Sequence, residues 1–385
     1  MKSKTEGSQL TIYLEGNIDS NNAQLVENEI FSLISSSVKS VTLDASNLNY
    51  ISSAGLRVIL KIKKAVSDTK LIEVNHDVYE IFDMTGFTEL LKIEKQFRKL
   101  SVNGCQVIGE GANGIVYRID ADTICKVYKK ADDLESVKNE IKLARKAFVM
   151  GVPTAIPYDI VKVGDLYGSV FELLDSKSLA EILRDDPSSL DRVVRDSVNI
   201  LKKIHQITLK AGEFPSIKDD FLYRLSLGKE ILDPVTYDRV EKLLKDIPDT
   251  NTIVHGDYHL KNILKQKDTD LLIDMDTLSL GHPIFEFAQI YATYIGFSRI
   301  EHNSFAKFFK MDEEIKNDLF NKTLKYYFDD KDEAFINDVI LKAEILSSVR
   351  FLKKAREDTE FGRSAKKYCL ENFKNDLPKI DKLYF

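Results

Sequence analysis

Hydrophobic and polar residues alternate with a period of two near the N-terminus, as they do in half-buried strands. Leu10, Ile12 and Leu14 share one face of the segment LTIYLEG, and the segment VTLDAS repeats the pattern. Apolar residues recur at helical spacing between these two segments and again after the second one. The two helical sets are Ala23, Val26, Ile30, Leu33 and Ile34, then Leu56, Ile59, Leu60 and Val66. The pattern therefore predicts alternating strands and helices.

This alternation continues to about residue 95 and predicts a small α/β domain. A strand around residues 71–74, a helix that stops near Gly86, and the apolar stretch LLKI at 90–93 complete it. The next segment, EKQFRKLSVNG, is charged and irregular, and glycine-rich strands and turns follow it. We therefore place a first domain at residues 1–98 and a second at 99–385. Beyond about residue 300 the pattern is typical of charged amphipathic helices.

Composition and charge narrow the function classes. The chain has 385 residues, 43% of them hydrophobic, and a net charge of −6. It has no run of lysine or arginine that would favour nucleic acid as a partner. Three widely spaced cysteines, with no metal-binding pattern, favour a reducing compartment. Because no signal peptide and no uncharged stretch of about 18–20 residues is present, we expect a cytoplasmic location and no membrane partner.

A glycine-rich segment, GEGANGIVYR, opens the second domain. Gly109, Gly111 and Gly114 have the spacing of a loop between two strands, where the backbone can approach a triphosphate without obstruction by side chains. Plain β-hairpins often have the same spacing. The segment alone leaves nucleotide binding and an ordinary turn as alternatives.

Lys126 follows in the strand-like segment TICKVYKK, where its neighbours are apolar. One defined face of a strand suits a phosphate ligand, and a surface lysine is the alternative. A buried lysine needs a carboxylate partner. In the helix predicted at about 133–149, Glu140 lies about 60° from Val137 at 100° per residue, whereas Glu135 points to the opposite face. We therefore favour Glu140, with a solvated charge as the alternative.

The most specific segment is TIVHGDYHLKNILKQKDTDLLIDMD. Asp257 is followed five positions later by Asn262 and 17 positions later by Asp274, which ends an apolar strand. Phosphoryl transfer needs a base for the attacking hydroxyl, oxygen ligands for magnesium and positive charge over the γ-phosphate. These three residues and Lys126 could supply those groups. Polar turn residues of a hairpin are the alternative, but they do not explain an aspartate after LLI.

Residues from about 101 to 300 resemble the aminoglycoside phosphotransferase and choline kinase-like branch of the protein-kinase fold. HGDYHLKN is similar to that family's HGDxHxxN catalytic loop, and FELLDSKSLAEIL resembles the stretch between the two lobes. The resemblance implies ATP and Mg²⁺ as cofactors. It implies Asp257 and His259 as catalytic residues, Asn262 and Asp274 as metal ligands, and Gly109, Gly111, Gly114, Lys126, Glu140, Glu172 and Leu174 as the ATP-binding residues.

The same resemblance implies an α+β bilobal fold with a helical C-terminal region. Its N-lobe would span about 99–172 and its C-lobe about 175–385. His205 and His255 are shared with the family and are expected to pack and form hydrogen bonds. Where the family usually has aspartates, GHPIFEFA carries His282 and Glu286, a departure that concerns loop anchoring and acceptor choice.

The first domain contains LDASNLNYISSAGLRVIL, which opens an amphipathic helix with two serines. A serine in this place is first of all a helix N-cap. Residues 8–95 also resemble a STAS domain, the anti-sigma-factor antagonist fold. That resemblance implies Ser53 as a phosphorylation site, with Ser52 in place of the usual aspartate. A phosphate there would add nearly two negative charges at a helix N-terminus.

Two functions follow from these patterns. The first is ATP- and magnesium-dependent transfer of the γ-phosphate to a hydroxyl of a small molecule or protein, with the STAS module as a regulatory or interaction domain. The second is a nucleotide-sensing regulatory protein of an anti-sigma-factor-type partner switch with little turnover. Expected partners are ATP, a hydroxyl acceptor of unknown identity, and an anti-sigma-factor-like or STAS protein. A narrower hypothesis is that the second domain phosphorylates Ser53 in the same or another copy.

Overall fold

The chain divides into two compact units. The structure is a computed structural model that describes residues 1–111, 114–130, 134–174, 176–210, 212–266 and 269–385, with only the backbone of Thr269. The first unit comprises Met1–Ser101 and Ile160–Asp165. The second comprises Val102–Asp159 and Leu166–Phe385.

The first unit contains a five-stranded sheet. Its strands are β1 (Ser3–Glu6), β2 (Gln9–Ile18), β3 (Ser40–Ile51), β4 (Asp68–Val74) and β5 (Lys92–Lys95), paired in that order. β1 is antiparallel to β2, and the other neighbours are parallel. Parallel neighbours need crossover connections. The helices α1 (Ala23–Leu33), α2 (Ser53–Ala65), α3 (His76–Met84) and α4 (Phe87–Leu90) lie in them.

The predicted alternation of strands and helices in this unit is confirmed. Leu10, Ile12 and Leu14 are buried in one hydrophobic cluster with Ile30 and Ile59 of the first two helices. β1 was not predicted, because its four residues are all exposed and show no apolar alternation. A short strand β6 (Arg98–Lys99) pairs in parallel with Val161 and Lys162 of the same unit.

The second unit begins with strands and one helix. The elements are β7 (Gln106–Glu110), β8 (Gly114–Arg118), β9 (Thr123–Tyr128), α5 (Leu134–Val149) and β11 (Leu166–Glu172). The strand β10 (Pro157–Val163) begins in this unit, and its residues from Ile160 onward belong to the first unit. Within the unit, β7, β8, β9 and β11 are consecutive antiparallel neighbours. A Cβ at Gly114 would lie 2.6 Å from the carbonyl oxygen of Val127, so β8 and β9 approach closely only with glycine there.

The rest of the second unit is mainly helical and encloses the larger core. Its strands are β12 (Lys177–Ser178), β13 (Ile253–Val254), β14 (Ile263–Gln266), β15 (Thr269–Leu272) and β16 (Ser279–Leu280). Its helices are α6 (Leu179–Asp185), α7 (Leu190–Gln206), α8 (Ile217–Leu227), α9 (Pro234–Lys245), α10 (Ile284–Tyr291), α11 (Phe297–Ile300), α12 (Ser304–Phe309), α13 (Ile315–Tyr327), α14 (Glu333–Ala355) and α15 (Glu360–Asp376).

Short irregular helices complete this part of the chain. Four are 3₁₀ helices at Pro187–Ser189, Leu260–Asn262, Met275–Thr277 and Leu377–Lys379, and a π-helical turn spans Ala292–Gly296. The predicted fold class, an α/β unit followed by an α+β unit with a helical C-terminal region, is confirmed. Asp175, at the predicted start of the C-lobe, lies outside the described residues. Within the described ranges, no helix is both long and apolar enough to span a membrane.

Candidate active site

A tight turn after β13 carries the segment HGDYH. β13 pairs with β16 in antiparallel register, which brings the end of this turn near the residues before β16. Gly256 has φ of +81°, and a Cβ there would lie 2.7 Å from the carbonyl oxygen of Thr277. The Thr277 hydroxyl donates to the carbonyl of His255 at 2.8 Å. Only glycine fits this turn, both for its backbone angle and for the close approach.

Glu286 of α10 holds the same turn through two hydrogen bonds. Its side chain is fully buried and accepts hydrogen bonds from the backbone N–H groups of His255 at 2.6 Å and Gly256 at 3.1 Å. Glu286 stands where the resembled family usually has aspartate, and here the longer carboxylate reaches the loop. The departure therefore leaves the loop anchored.

His255 and His205 have structural roles. The Nε2 of His255 donates to the carbonyl of Ile273 at 3.0 Å, and its Nδ1 accepts from the Asp257 N–H at 3.3 Å. The Nδ1 of His205 and the Tyr327 hydroxyl are 2.8 Å apart. Both rings thus pack and form hydrogen bonds, as expected from the sequence.

Asp257 and Asn262 lie together. The Nδ2 of Asn262 donates to the Asp257 backbone carbonyl at 3.0 Å and lies 3.4 Å from the side-chain Oδ2 of Asp257. The amide nitrogen therefore faces Asp257, and the planar amide directs Oδ1 elsewhere. The N–H of Ile273 donates to the Asn262 carbonyl at 3.0 Å, which ties this loop to the chain just before Asp274.

Asp274 follows the strand β15 in the left-handed region, with φ of +61°. A non-glycine residue there is uncommon and is most often asparagine or aspartate. One of its carboxylate oxygens lies 2.6 Å from the Nζ of Lys126. This backbone turn therefore delivers the carboxylate to the lysine of β9.

Lys126 lies between two carboxylates. Its Nζ is 2.7 Å from Glu140 Oε1 of α5 and 2.6 Å from Asp274 Oδ1. The other oxygen of Glu140 accepts from the hydroxyls of Tyr128 and Ser169. Every oxygen of this buried carboxylate is therefore hydrogen-bonded.

Glu135 lies elsewhere, as the helical geometry indicated. It pairs with Lys138 at 3.0 Å on the surface, and its side chain is 87% exposed. The side chain of Glu140 is 2% exposed. The two glutamates of α5 thus form a natural matched pair for experiment.

Burial and charge shift the pKa values of the ion pair. Burial alone would lower the pKa of Lys126, but the charges of Glu140 and Asp274 raise it above its ordinary value. Burial raises the pKa of the Glu140 carboxyl, and Lys126 opposes that shift. Glu140 therefore depends on the lysine to keep its charge.

His259 lies next to Asp257 with its ring against aromatic side chains. Its Nε2 is 3.6 Å from Asp257 Oδ2, and the ring contacts Phe308 and Phe309 edge-on. The Nδ1 atom is buried and has no hydrogen-bond partner among the described residues. The ring is therefore held by packing beside the carboxylate.

The Asp257 carboxylate stays ionised for a physical reason. Burial would raise the pKa of this carboxyl, but the neighbouring His259 ring and the Arg350 guanidinium hold it well below its usual range. Arg350 belongs to α14, and its Nη2 lies 3.9 Å from Asp257 Oδ1. The second domain thus places a fixed cation beside the predicted base.

Sequence reasoning missed Arg350 and Asp276. Asp276 lies two residues after Asp274, in the segment IDMD, and burial raises the pKa of its carboxyl. Lys126 opposes this shift, whereas the charges of Asp274 and Asp257 add to it, so Asp276 lies among these three charged groups. The repeated aspartate was a visible signal for Asp276. Arg350 gave no signal, because it lies 93 positions after Asp257 in an ordinary amphipathic helix.

The glycine-rich segment and the predicted adenine contact are only partly described. The N–H of Gly111 donates to the Gly114 carbonyl at 2.9 Å, while Ala112 and Asn113 lie outside the described residues. At the predicted adenine contact, the N–H groups of Glu172 and Leu173 donate to the carbonyls of Ile156 and Asp122. Among the backbone hydrogen bonds of turns, loops and caps in the described part of the chain, none is donated by the Leu174 N–H. The ATP-binding roles stay predictions.

In the first unit the two serines before α2 have different roles. Ser52 is the N-cap, and its hydroxyl accepts from the Gly55 N–H at 3.4 Å. Ser53 is the first helical residue and is exposed. The capping role that the sequence suggested for serine therefore belongs to Ser52 and leaves the Ser53 hydroxyl accessible.

Comparisons with known proteins cover both units. The family described as "Phosphotransferase enzyme family" matches residues 104–311, and the STAS domain matches residues 1–100. BtrV of Bordetella bronchiseptica, which is named as a candidate anti-sigma factor antagonist, is 34% identical over 84 residues. These residues are 21% of this chain and 72% of that protein.

Solved structures of phosphotransferases also align with this chain. The ternary complex of streptomycin, ATP and APH(2″)-IIa is 17% identical, covers 77% of this chain and 97% of its own, and has a TM-score of 0.47. Aminoglycoside phosphotransferase APH(2″)-Ib with ADP bound is 17% identical, with 76% and 97% covered and a TM-score of 0.48. The ternary complex of an APH(4)-Ia mutant with AMP-PNP and hygromycin B is 14% identical, with 71% and 94% covered and a TM-score of 0.49.

The anchoring by Glu286 predicts a loss of stability on substitution. Glu286→Ala leaves two buried N–H groups without an acceptor, and each costs about 1–3 kcal/mol. We expect the free energy of unfolding of the second unit, measured by chemical denaturation, to fall by about 2–4 kcal/mol. Glu286→Gln keeps one side-chain oxygen and should lose less. A loss below about 0.5 kcal/mol for the alanine variant would contradict the anchoring role.

Proposed function

This chain belongs to the phosphotransferase enzyme family and carries a STAS domain, and we propose that it transfers the γ-phosphate of ATP to a hydroxyl group. The observation that supports this proposal most directly is the convergence of Lys126, Asp257, Asn262 and Asp274, which are joined by hydrogen bonds and by the bond from the Ile273 N–H to the Asn262 carbonyl. The alternative of a partner-switch protein with little turnover is less favoured, because all four groups for the reaction are present.

In the proposed reaction Asp257 accepts the proton of the acceptor hydroxyl. The hydroxyl oxygen forms a bond to the γ-phosphorus, the bond from this phosphorus to the β–γ bridging oxygen breaks, and ADP leaves. A depressed pKa suits orientation of the hydroxyl more than strong proton abstraction, as expected for a reaction that needs little covalent help. The contacts to Asn262 and His259 hold the Asp257 carboxylate in one place.

The donor set fits magnesium bound together with a nucleotide. Asp274 offers a carboxylate that is 41% exposed, and Asn262 offers an amide oxygen that faces away from Asp257. Among the described residues, no group of three or more histidine, cysteine, aspartate or glutamate side chains could hold a metal ion. Mg²⁺ is usually held by one or two carboxylates plus substrate phosphates, so this sparse set is appropriate. When bound, Mg²⁺ would neutralise charge on the phosphate oxygens.

Lys126 is proposed to bind phosphate oxygens of ATP. Glu140 fixes its position from the buried side through a hydrogen bond of 2.7 Å. Asp274, on the more exposed side, is 2.6 Å away in the structure and would share the lysine with the nucleotide. The lysine is thereby preorganised, and little side-chain entropy remains to be lost on binding.

For the STAS domain we propose a role as a regulatory interaction module with Ser53 as its phosphorylation site. The exposed position of Ser53 at the first turn of α2 supports this proposal, because the dipole at a helix N-terminus favours a negatively charged group. An anti-sigma-factor-like or STAS protein is the proposed partner. The similarity to BtrV supports that choice.

Removal of the base tests the enzyme proposal. Asp257→Ala should lower magnesium-dependent phosphate transfer from ATP by about 10²- to 10⁴-fold, measured as ADP formation, and leave ATP affinity nearly unchanged. Chelation of magnesium should stop turnover of the wild type. Because the pKa of Asp257 is depressed, no loss of rate from its protonation is expected between about pH 8 and about pH 5. Asp249→Ala, at an exposed carboxylate, is the control. Equal ADP formation by wild type and Asp257→Ala would reject the proposal.

The two glutamates of α5 test the role of the ion pair. Glu140→Gln cannot balance the charge of Lys126, so we expect kcat/KM for ATP to fall about tenfold or more. Glu135→Gln loses only a surface pair and should change it less than about twofold. Steady-state kinetics with varied ATP would measure both. Similar values for the two variants would show that the buried pair has no role in turnover.

Incubation with ATP and magnesium followed by mass spectrometry tests the modification site. We expect phosphate on the peptide that contains Ser53 in the wild type and none in Ser53→Ala. If the protein modifies itself, Asp257→Ala should also remain unmodified. Ser52→Ala, which loses an N-cap worth about 1 kcal/mol, should still be modified. An unmodified Ser53 in the wild type would count against self-phosphorylation.

A further inference from the structure

Arg350 approaches Asp257 without forming a hydrogen bond to it. The closest pair of atoms, Arg350 Nη2 and Asp257 Oδ1, is 3.9 Å apart. A hydrogen bond between a guanidinium and a carboxylate is about 2.7–2.9 Å long. The arginine therefore influences the charge of the predicted base without forming a hydrogen bond to it.

One nitrogen of Arg350 lacks a partner. Its Nη1 atom is buried and has no hydrogen bond within the described residues, although the side chain as a whole is 20% exposed. A guanidinium stays charged, and an unsatisfied buried donor is costly. The pattern differs from that of a structural arginine, whose donors are normally paired.

The neighbouring arginine shows the contrast. Arg224 of α8 contributes to the electrostatic environment of Arg350, but it is itself paired with Asp220 at 2.6 Å through Nε. Unlike the Nε of Arg224, the Nη1 of Arg350 has no hydrogen-bond partner among the described residues. The planar fork of Arg350 suits a carboxylate or a phosphate, which can accept two parallel hydrogen bonds.

We propose that the acceptor carries an anionic group, a carboxylate or a phosphate, which Arg350 binds while the acceptor hydroxyl faces Asp257. This inference rests on the proposed function and adds a substrate class to it. An anion would satisfy the Nη1 donor and balance the buried charge. An acceptor with an ammonium group in this position would meet the fixed guanidinium and be disfavoured.

The test compares small alcohols that differ mainly in charge. The probes are glycerate, glycerol 3-phosphate, glycerol and 3-aminopropane-1,2-diol. Binding of each to the full chain is measured by calorimetry with magnesium and a non-hydrolysable ATP analogue, and transfer is measured separately with ATP. We expect at least one anionic probe to bind about tenfold or more tightly than glycerol, and the amine to bind most weakly. The two anions distinguish carboxylate from phosphate recognition.

Variants of Arg350 identify the group responsible. Arg350→Gln should remove the preference for the anion over glycerol. Arg350→Lys keeps a charge without the fork and should retain part of the preference. Lys353→Gln removes a cation at an exposed position of the same helix and should behave as the wild type. Thermal unfolding of each variant verifies that it is folded.

The possible failures are separable. If no anion binds more tightly than glycerol, or if Arg350→Gln keeps the preference, the anion proposal is overturned while turnover that depends on Asp257 can stand. If binding of the anion depends on Arg350 but no transfer from ATP occurs, the anion site is supported and the proposed function fails. Absence of binding by all four probes also counts against the anion site.

Discussion

The site depends on Lys126 being held between the carboxylates of Glu140 and Asp274. A buried ammonium and a buried carboxylate are each costly alone, and their attraction offsets the cost only when geometry and further hydrogen bonds are good. Here the further bonds come from Tyr128 and Ser169, which complete the shell of Glu140. The pair therefore requires α5, β9 and the turn after β15 to be in place together. These two ionic contacts of Lys126 thus connect three parts of the second unit that are distant in sequence.

The turn that carries HGDYH depends on buried backbone hydrogen bonds in a similar way. The left-handed Gly256 exposes two consecutive N–H groups on one side, and Glu286 accepts both. The longer glutamate side chain reaches both N–H groups from α10, at 2.6 Å and 3.1 Å. This explains how a departure from the family pattern can leave the turn intact.

Local patterns in the sequence predicted most of the fold and part of the site. Period-two alternation located β2 and β3, and helical phase alone separated Glu140 from Glu135. The exposed strand β1 was not predicted, because it forms by pairing with β2 and buries no apolar side chain. The position of Arg350 beside Asp257 was not predicted, because α14 brings it there from a distant part of the sequence. No local pattern indicates such a contact. The choice between Ser52 and Ser53 as the cap required the observed first turn of α2.

The charges around Asp257 connect the geometry to acceptor chemistry. Transfer brings an alcohol close to a polyanionic nucleotide, and repulsion between the nucleotide and an anionic acceptor would raise the cost of that encounter. Under the proposal of an anionic acceptor, the guanidinium of Arg350, 3.9 Å from Asp257, would oppose this repulsion. It would give no such benefit to a cationic acceptor, which the nucleotide itself attracts. His259 and Arg350 also hold the pKa of Asp257 below its usual range, so the same buried cation stabilises the ionised carboxylate.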